Sequence, residues 1–248
     1  MNKTIVISGA SDGIGAFTAL EAANKGYNVV ITYLTHENEA IELVNYIIKK
    51  YKVDALCVKC DISNEDDINN LLNKSIERFG KVDILINNAA ICIDGEFNEK
   101  KKEDYMRTLE VNLVGTFLMS RIFGNHMVIN GFGVITNISS NNGIDNYNDY
   151  SLEYDSSKAG IINLTHNLAS HYAPFIRVNA ICPGWTETTS VKQMNPNYLG
   201  EEKKKILLER FAKPEEIAKT SMFISSDEGS YINDSIIKVD GGLRWKKK

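Results

Sequence analysis

Basic charge is in short supply along this chain. Its 28 lysines and arginines face 32 aspartates and glutamates, a net −4 over 248 residues. The basic run at Lys246, Lys247 and Lys248 reads as a solvated tail, so nothing calls for a nucleic-acid partner. Long apolar runs are missing as well: every one is interrupted before the roughly 18 residues of a membrane span. Lys3 leads into a short strand-like run and a glycine loop, where a signal peptide would carry its apolar core. A soluble, cytoplasmic protein without membrane contact is expected. The four histidines, His36, His126, His166 and His171, lack ligand spacing, His166 and His171 standing about 140° apart on a helix, and no metal site is expected. Cys57 and Cys60 have C-x-x-C spacing but lie in a strand-like segment, where residues three apart face opposite ways, so both read as structural. Repeats, low-complexity tracts and Pro/Gly/Ser linkers are absent.

What is present is alternation. With 43% hydrophobic and 24% charged residues the chain can bury a sizeable core. Short apolar runs at 4–8, 28–33, 55–60, 82–87, 133–139, 176–182 and 235–239 read as strands. Between them, helical periodicity covers 13–25, 38–51, 65–79, about 103–126, the stretch after Tyr154, and 214–225, which has proline in its first turn; 185–210 is less regular. Strands this short and apolar suit a parallel sheet covered on both faces. The pattern predicts an α/β Rossmann fold, a doubly wound parallel sheet of about seven strands with helices on both faces, in one domain spanning residues 1–248.

Three features carry chemistry. The run from Gly9 through Ser11, Asp12, Gly13, Ile14 and Gly15 joins a strand to a helix, the arrangement in which glycines let the backbone approach a pyrophosphate met by free helix N–H groups. Ligands of such sheets bind outside the carboxyl ends of the strands, where this loop, Asn87, Ser139, Ser140 and Pro183 should converge. Tyr154 and Lys158, four apart on a helix, differ by about 40° in direction and project from one face. A fixed ammonium stabilises a phenolate and lowers the phenol pKa, which would make Tyr154 a proton carrier at neutral pH. Taken alone, the pair fits an exposed helix face as well.

Together these residues resemble the short-chain dehydrogenase/reductase family over essentially the whole chain. The glycine motif is Ser8-Gly9-Ala10-Ser11-Asp12-Gly13-Ile14-Gly15, the N-N-A-G motif appears as Asn87-Asn88-Ala89-Ala90, and Asn112, Ser140, Tyr154 and Lys158 stand in the catalytic places. Pro183-Gly184 with Thr186 and Thr188 matches the nicotinamide-side loop, and Val239-Asp240-Gly241-Gly242 the usual C-terminal strand. The resemblance implies an NAD(P)-dependent oxidoreductase interconverting a ketone and a secondary alcohol, 3-oxoacyl reductase-like by default. Tyr154 would pass the proton, Ser140 would hydrogen-bond the carbonyl oxygen, Lys158 would bind the ribose and depress the tyrosine pKa, and Asn112 would hold a water linking Lys158 to solvent. Asp61 with Ile62 would contact the adenine, and Asn88, with Ala89 and Ala90, would steady the sheet beside the cofactor. As an alternative, Asp61 could cap the next helix, a part Ser63 fits better. Ser139 and Ser140 face opposite ways, and Ser140 is taken as the substrate-facing one.

At the end of the second strand stand Tyr33, Leu34, Thr35 and His36, with no carboxylate where NAD-preferring enzymes of this fold carry one. Thr35, the backbone and His36 could meet a 2'-phosphate, while Asp12 opposes it, so NADP is favoured over NAD. A small-molecule carbonyl or alcohol substrate is expected, shaped by residues 185–210, 91–97 and 141–149. The family also implies a homotetramer packed through helices that carry Leu109, Leu113, Phe117 and Met119, and Ile161, Leu164 and Leu168. Two other readings are a non-catalytic dinucleotide-binding sensor or scaffold, and a family member performing dehydration or epimerisation.

Overall fold

A computed structural model of the chain describes residues 2–146 and 149–244. The basic tail and Tyr147 lie outside the described residues. The strands are β1 (Thr4–Ile7), β2 (Asn28–Tyr33), β3 (Ala55–Lys59), β4 (Ile84–Asn87), β5 (Gly133–Ile138), β6 (Ile176–Pro183) and β7 (Ile236–Val239). They form one parallel sheet in the order β3-β2-β1-β4-β5-β6-β7. The order reverses at β1, which pairs β2 on one side and β4 on the other, and this places the crevice of a doubly wound sheet at the ends of β1 and β4.

The helices are α1 (Gly13–Asn24), α2 (Glu37–Tyr51), α3 (Glu65–Phe79), α4 (Lys102–Leu109), α5 (Thr116–Ile129), α6 (Leu152–Tyr172), α7 (Thr189–Lys192), α8 (Pro196–Lys204) and α9 (Pro214–Ser225). Successive strand residues feed opposite cores, as the period of two requires. Ile5, Ile7, Val29, Ile31, Ile84 and Ile86 pack with Ala19, Val44 and Met222 of α1, α2 and α9. Val6, Val30, Leu85, Ile135 and Val178 pack with Leu71, Phe123 and Leu168 of α3, α5 and α6 on the other face. Cys57 joins the first core and Cys60 the second, and all four cysteines are unpaired.

Three local expectations change. The long helix is broken into α4 and α5 by a π-helical turn, Glu110–Gly115. The stretch 185–210 contains α7 and α8, and α8 is announced by Asn195, whose side chain accepts from the Asn197 N–H, followed by proline at the first turn. The cap of α3 is Asn64, accepting from the N–H groups of Asp66 and Asp67, and not Ser63. Among the described residues no helix is long and apolar enough to cross a membrane, and no group of three or more His, Cys, Asp or Glu could hold a metal.

Candidate active site

The glycine loop is built from main chain. Gly9 has φ +60°, and a Cβ there would meet the Ala89 Cα at 2.7 Å, so the β1 and β4 ends touch backbone to backbone. A Cβ on Gly15 would meet the Gly9 carbonyl oxygen at 2.6 Å and the Ala10 Cα at 2.8 Å. Asn88 locks the contact: its Nδ2 donates to the carbonyls of Ser8 (3.0 Å) and Gly9 (2.8 Å), while the Ser8 hydroxyl accepts from the N–H groups of Asn88 and Ala89. Asp12 flanks α1 in extended conformation and is exposed, it makes no side-chain cap, and the first turn holds no acidic residue. The positive end of α1, with the Gly13, Ile14 and Gly15 amides, is thus left for an anion and fits a dinucleotide pyrophosphate. Thr188 lies in van der Waals reach of Gly13, its methyl 3.5 Å from where a Cβ would stand, so the loop after β6 closes over the glycine loop. In that loop the Thr186 hydroxyl donates to the Gly184 carbonyl at 3.1 Å, and Pro183 is buried. Ala90 is exposed and avoids positive φ, so the missing glycine costs nothing there.

At the end of β2, the Tyr33 hydroxyl donates to Glu37 Oε1 at 2.6 Å, a bond that with burial pushes its pKa up to about 12. Glu37, four residues beyond Tyr33, lies past the position where a ribose-binding carboxylate of this fold stands. Leu34, Thr35 and His36 are exposed, with Thr35 Oγ1 3.0 Å from His36 Nδ1. Asp61 accepts from the Ser63 N–H (2.9 Å) and hydroxyl (2.7 Å) and pairs with Arg107 at 3.3 Å. Burial would raise its pKa, but Ser63 and Arg107 outweigh this and hold it low. Ile62 packs against Gly115 of the π-turn, where a Cβ would meet its Cγ1 at 2.9 Å.

The catalytic candidates meet at the ends of β4 and β5 and the start of α6. Ser139 points inward and donates to the Lys158 carbonyl at 2.7 Å, whereas the Ser140 hydroxyl accepts from the Asn142 N–H at 3.1 Å on the side of the Tyr154 phenol. Lys158 is buried, its Nζ donates to the Ile138 carbonyl at 2.8 Å, and it lies 5.4 Å from the Tyr154 ring centre. Loss of surrounding water pushes the Tyr154 pKa up, only partly countered by Ser140, and the same loss drives Lys158 down to about 8. Tyr154 is therefore a neutral hydroxyl at neutral pH, suited to giving a proton.

Asn112 is tied to two elements. Its Oδ1 accepts from the Ile91 N–H (2.8 Å), and its Nδ2 donates to the Ile91 carbonyl (2.9 Å) and the Ser157 hydroxyl (3.0 Å). Both amide protons are spent tying the loop after β4 to α6, so the side chain braces these two segments. Asp155 accepts from Asn142 (2.8 Å), Ser151 (3.2 Å) and Asn146, pinning the loop after β5 to the same helix start. Over the crevice, Trp185 stacks on Phe211 with ring centres 5.6 Å apart, meets Tyr198 edge-on at 6.0 Å, and donates to Glu202 at 3.2 Å.

Residues 9–244 match a family model described as enoyl-(acyl carrier protein) reductase. An uncharacterised oxidoreductase of Thermotoga maritima is 36% identical, over 97% of this chain and 96% of its own length. A 3-oxoacyl-(acyl-carrier-protein) reductase of the same organism is 34% identical over 97% of both chains. Glucose 1-dehydrogenase 2 of Bacillus subtilis is 36% identical over 97% of this chain and 94% of its own. The chain belongs to the short-chain dehydrogenase/reductase family. It is an NAD(P)-dependent oxidoreductase that acts on carbonyl and alcohol groups of a small-molecule substrate.

Proposed function

We propose that the chain reduces a ketone with NADPH, with Tyr154 as the proton donor. The observation that carries this is the buried Lys158 ammonium, anchored on the Ile138 carbonyl at 2.8 Å and 5.4 Å from the Tyr154 ring centre, beside Ser140 at the end of β5. Ser140 and Tyr154 converge on one point where a carbonyl oxygen can accept from both, so charge developing there in the transition state is stabilised by two fixed donors. When bound, the nicotinamide supplies the hydride. Lys158, anchored on Ile138, would hold the ribose and keep positive charge beside the phenol once its proton is given up. Asn112 holds Ile91 and Ser157 in place around it. Gly9, Ser11, Gly13, Ile14 and Gly15 would hold the pyrophosphate, Asp61 and Ile62 the adenine, and Thr186 and Thr188 the nicotinamide side.

The NADP assignment is supported by the exposed Thr35 and His36 and by Glu37, which Tyr33 holds back instead of leaving it free for the ribose hydroxyls. Asp12 is exposed at the far side of the loop. Comparing kcat/KM for the two cofactors on one substrate tests this, and a clear NAD preference overturns it.

Residues 185–210 would cover the substrate through Trp185, Leu199 and Ile206, which cluster with Phe211. The substrate class is read from a panel containing a 3-oxoacyl thioester, glucose and simple ketones and secondary alcohols, followed by nicotinamide absorbance; no turnover on any would sink the reading. Four unpaired cysteines suit a reducing, cytoplasmic setting. A homotetramer is supported by Met106, Val114 and Phe117, which stay exposed on α4, the π-turn and α5. Met119, Ile161 and Leu168 are consumed by the chain's own core. Sedimentation as a monomer at micromolar concentration would refute the tetramer.

A further inference from the structure

Glu153 immediately precedes Tyr154 in the first turn of α6, and its side chain is 1% exposed against a Lys100 side chain that is 11% exposed. Lys100 Nζ donates to Glu153 Oε1 at 2.8 Å and to the Ile93 carbonyl at 3.1 Å, and lies 2.7 Å from Glu153 Oε2. One ammonium therefore joins the start of α4, the loop after β4 and the helix turn that carries the phenol. The same loop is held at Ile91 by Asn112 and at Gly95, whose N–H donates to the Tyr150 carbonyl at 3.1 Å. Beside the pair lies a half-open pocket of about 440 Å³, lined among others by Ile93, Asp94, Tyr105, Lys100 and Glu153. A buried ion pair rarely stabilises a fold more than apolar groups of the same shape would. Its yield here is geometry.

We propose that Lys100 and Glu153 are positioning residues, and that their buried pair sets the gap between the Tyr154 hydroxyl and the loop at 91–95 against which the carbonyl substrate lies. This rests on the reading of Tyr154 as proton donor. Displacement of a reacting group by about 1 Å can cost about a hundredfold in rate.

The test compares wild type, Lys100→Met, Lys100→Arg and the double variant Lys100→Met/Glu153→Leu. Each is followed by turnover of ethyl acetoacetate with the preferred cofactor, by thermal unfolding, and by amide hydrogen exchange at 91–97 and 152–158. Lys100→Met should lower kcat by about ten- to a hundredfold with the cofactor KM changed less than about twofold, and exchange at both segments should quicken. Lys100→Arg, which keeps the cation, should recover most of the rate. The double variant removes the stranded carboxylate and should recover thermal stability but not kcat. Recovery of kcat in the double variant, or unchanged exchange in Lys100→Met, would overturn the proposal. If wild type reduces no ketone of the panel, the oxidoreductase reading has failed separately, and the exchange measurement alone decides whether the pair holds the two segments together.

Discussion

The two sides of the crevice are made of different material. On the nucleotide side the loop after β1 is main chain against main chain, closed by Asn88 and cleared of side chains at Gly9 and Gly15. On the substrate side each working group is a side chain, and each is held by a specific partner: Lys158 by the Ile138 carbonyl, Asn112 by the Ile91 backbone, Asp155 by the Asn142 side chain, Glu153 by the Lys100 ammonium. A backbone cradle suits a ligand whose phosphates are always the same, because N–H groups need no particular residue type. Side chains are required where a proton must move, because only they titrate. The first side should therefore fail when bulk enters it or the Asn88 lock is lost, and the second when any one functional atom is lost.

Removing a single oxygen gives the largest expected effect. Tyr154→Phe should lower turnover by roughly 10² to 10⁴ while cofactor still binds, as read by steady-state kinetics beside cofactor fluorescence titration. Near-normal turnover would remove the hydroxyl from the reaction.

Next comes the buried charge of Lys158. Its pKa in the fold, about 8, is below that of the unfolded chain, so the unfolded state binds more protons between about pH 8 and 10.5 and stability should rise with pH through that window. Below it the full penalty applies, on the order of 3 kcal/mol. Urea unfolding at pH 7 and pH 9.5 should show wild type gaining on Lys158→Met as pH rises, and parallel curves would deny that the ammonium is destabilised by burial.

Bulk on the nucleotide side should act more mildly on stability. Gly15→Ala forces a Cβ into backbone, at an expected cost of about 1–3 kcal/mol in unfolding, and cofactor affinity should fall further than stability. Equal affinity would mean that the loop has slack. The smallest effect is expected over the crevice, where Trp185→Ala loses one stacked and one edge-on ring contact, about 1 kcal/mol. Substrate KM should rise with cofactor KM unchanged; a shift in cofactor KM alone would move Trp185 to the other side of the comparison.

The order and kind of the elements were legible in the residues because the signals are local. Val6 and Val30 alternate with Ile5, Ile7, Val29 and Ile31, Pro214 opens α9, and the glycine loop follows β1 directly. The cap at Asn195 before Pro196 is an equally local signal. The alternation of the two serines is local as well, and Ser139, turned the other way, donates to the Lys158 carbonyl. Only the tertiary structure decided what surrounds the candidates. Asn112 became a brace because Ile91, 21 residues away, offers it both backbone groups, and Glu153 found its cation 53 residues away in Lys100. Tyr154 kept its proton because the pKa of a phenol answers to the water excluded around it, and that exclusion is set by packed neighbours from separate elements, which no spacing along the chain records.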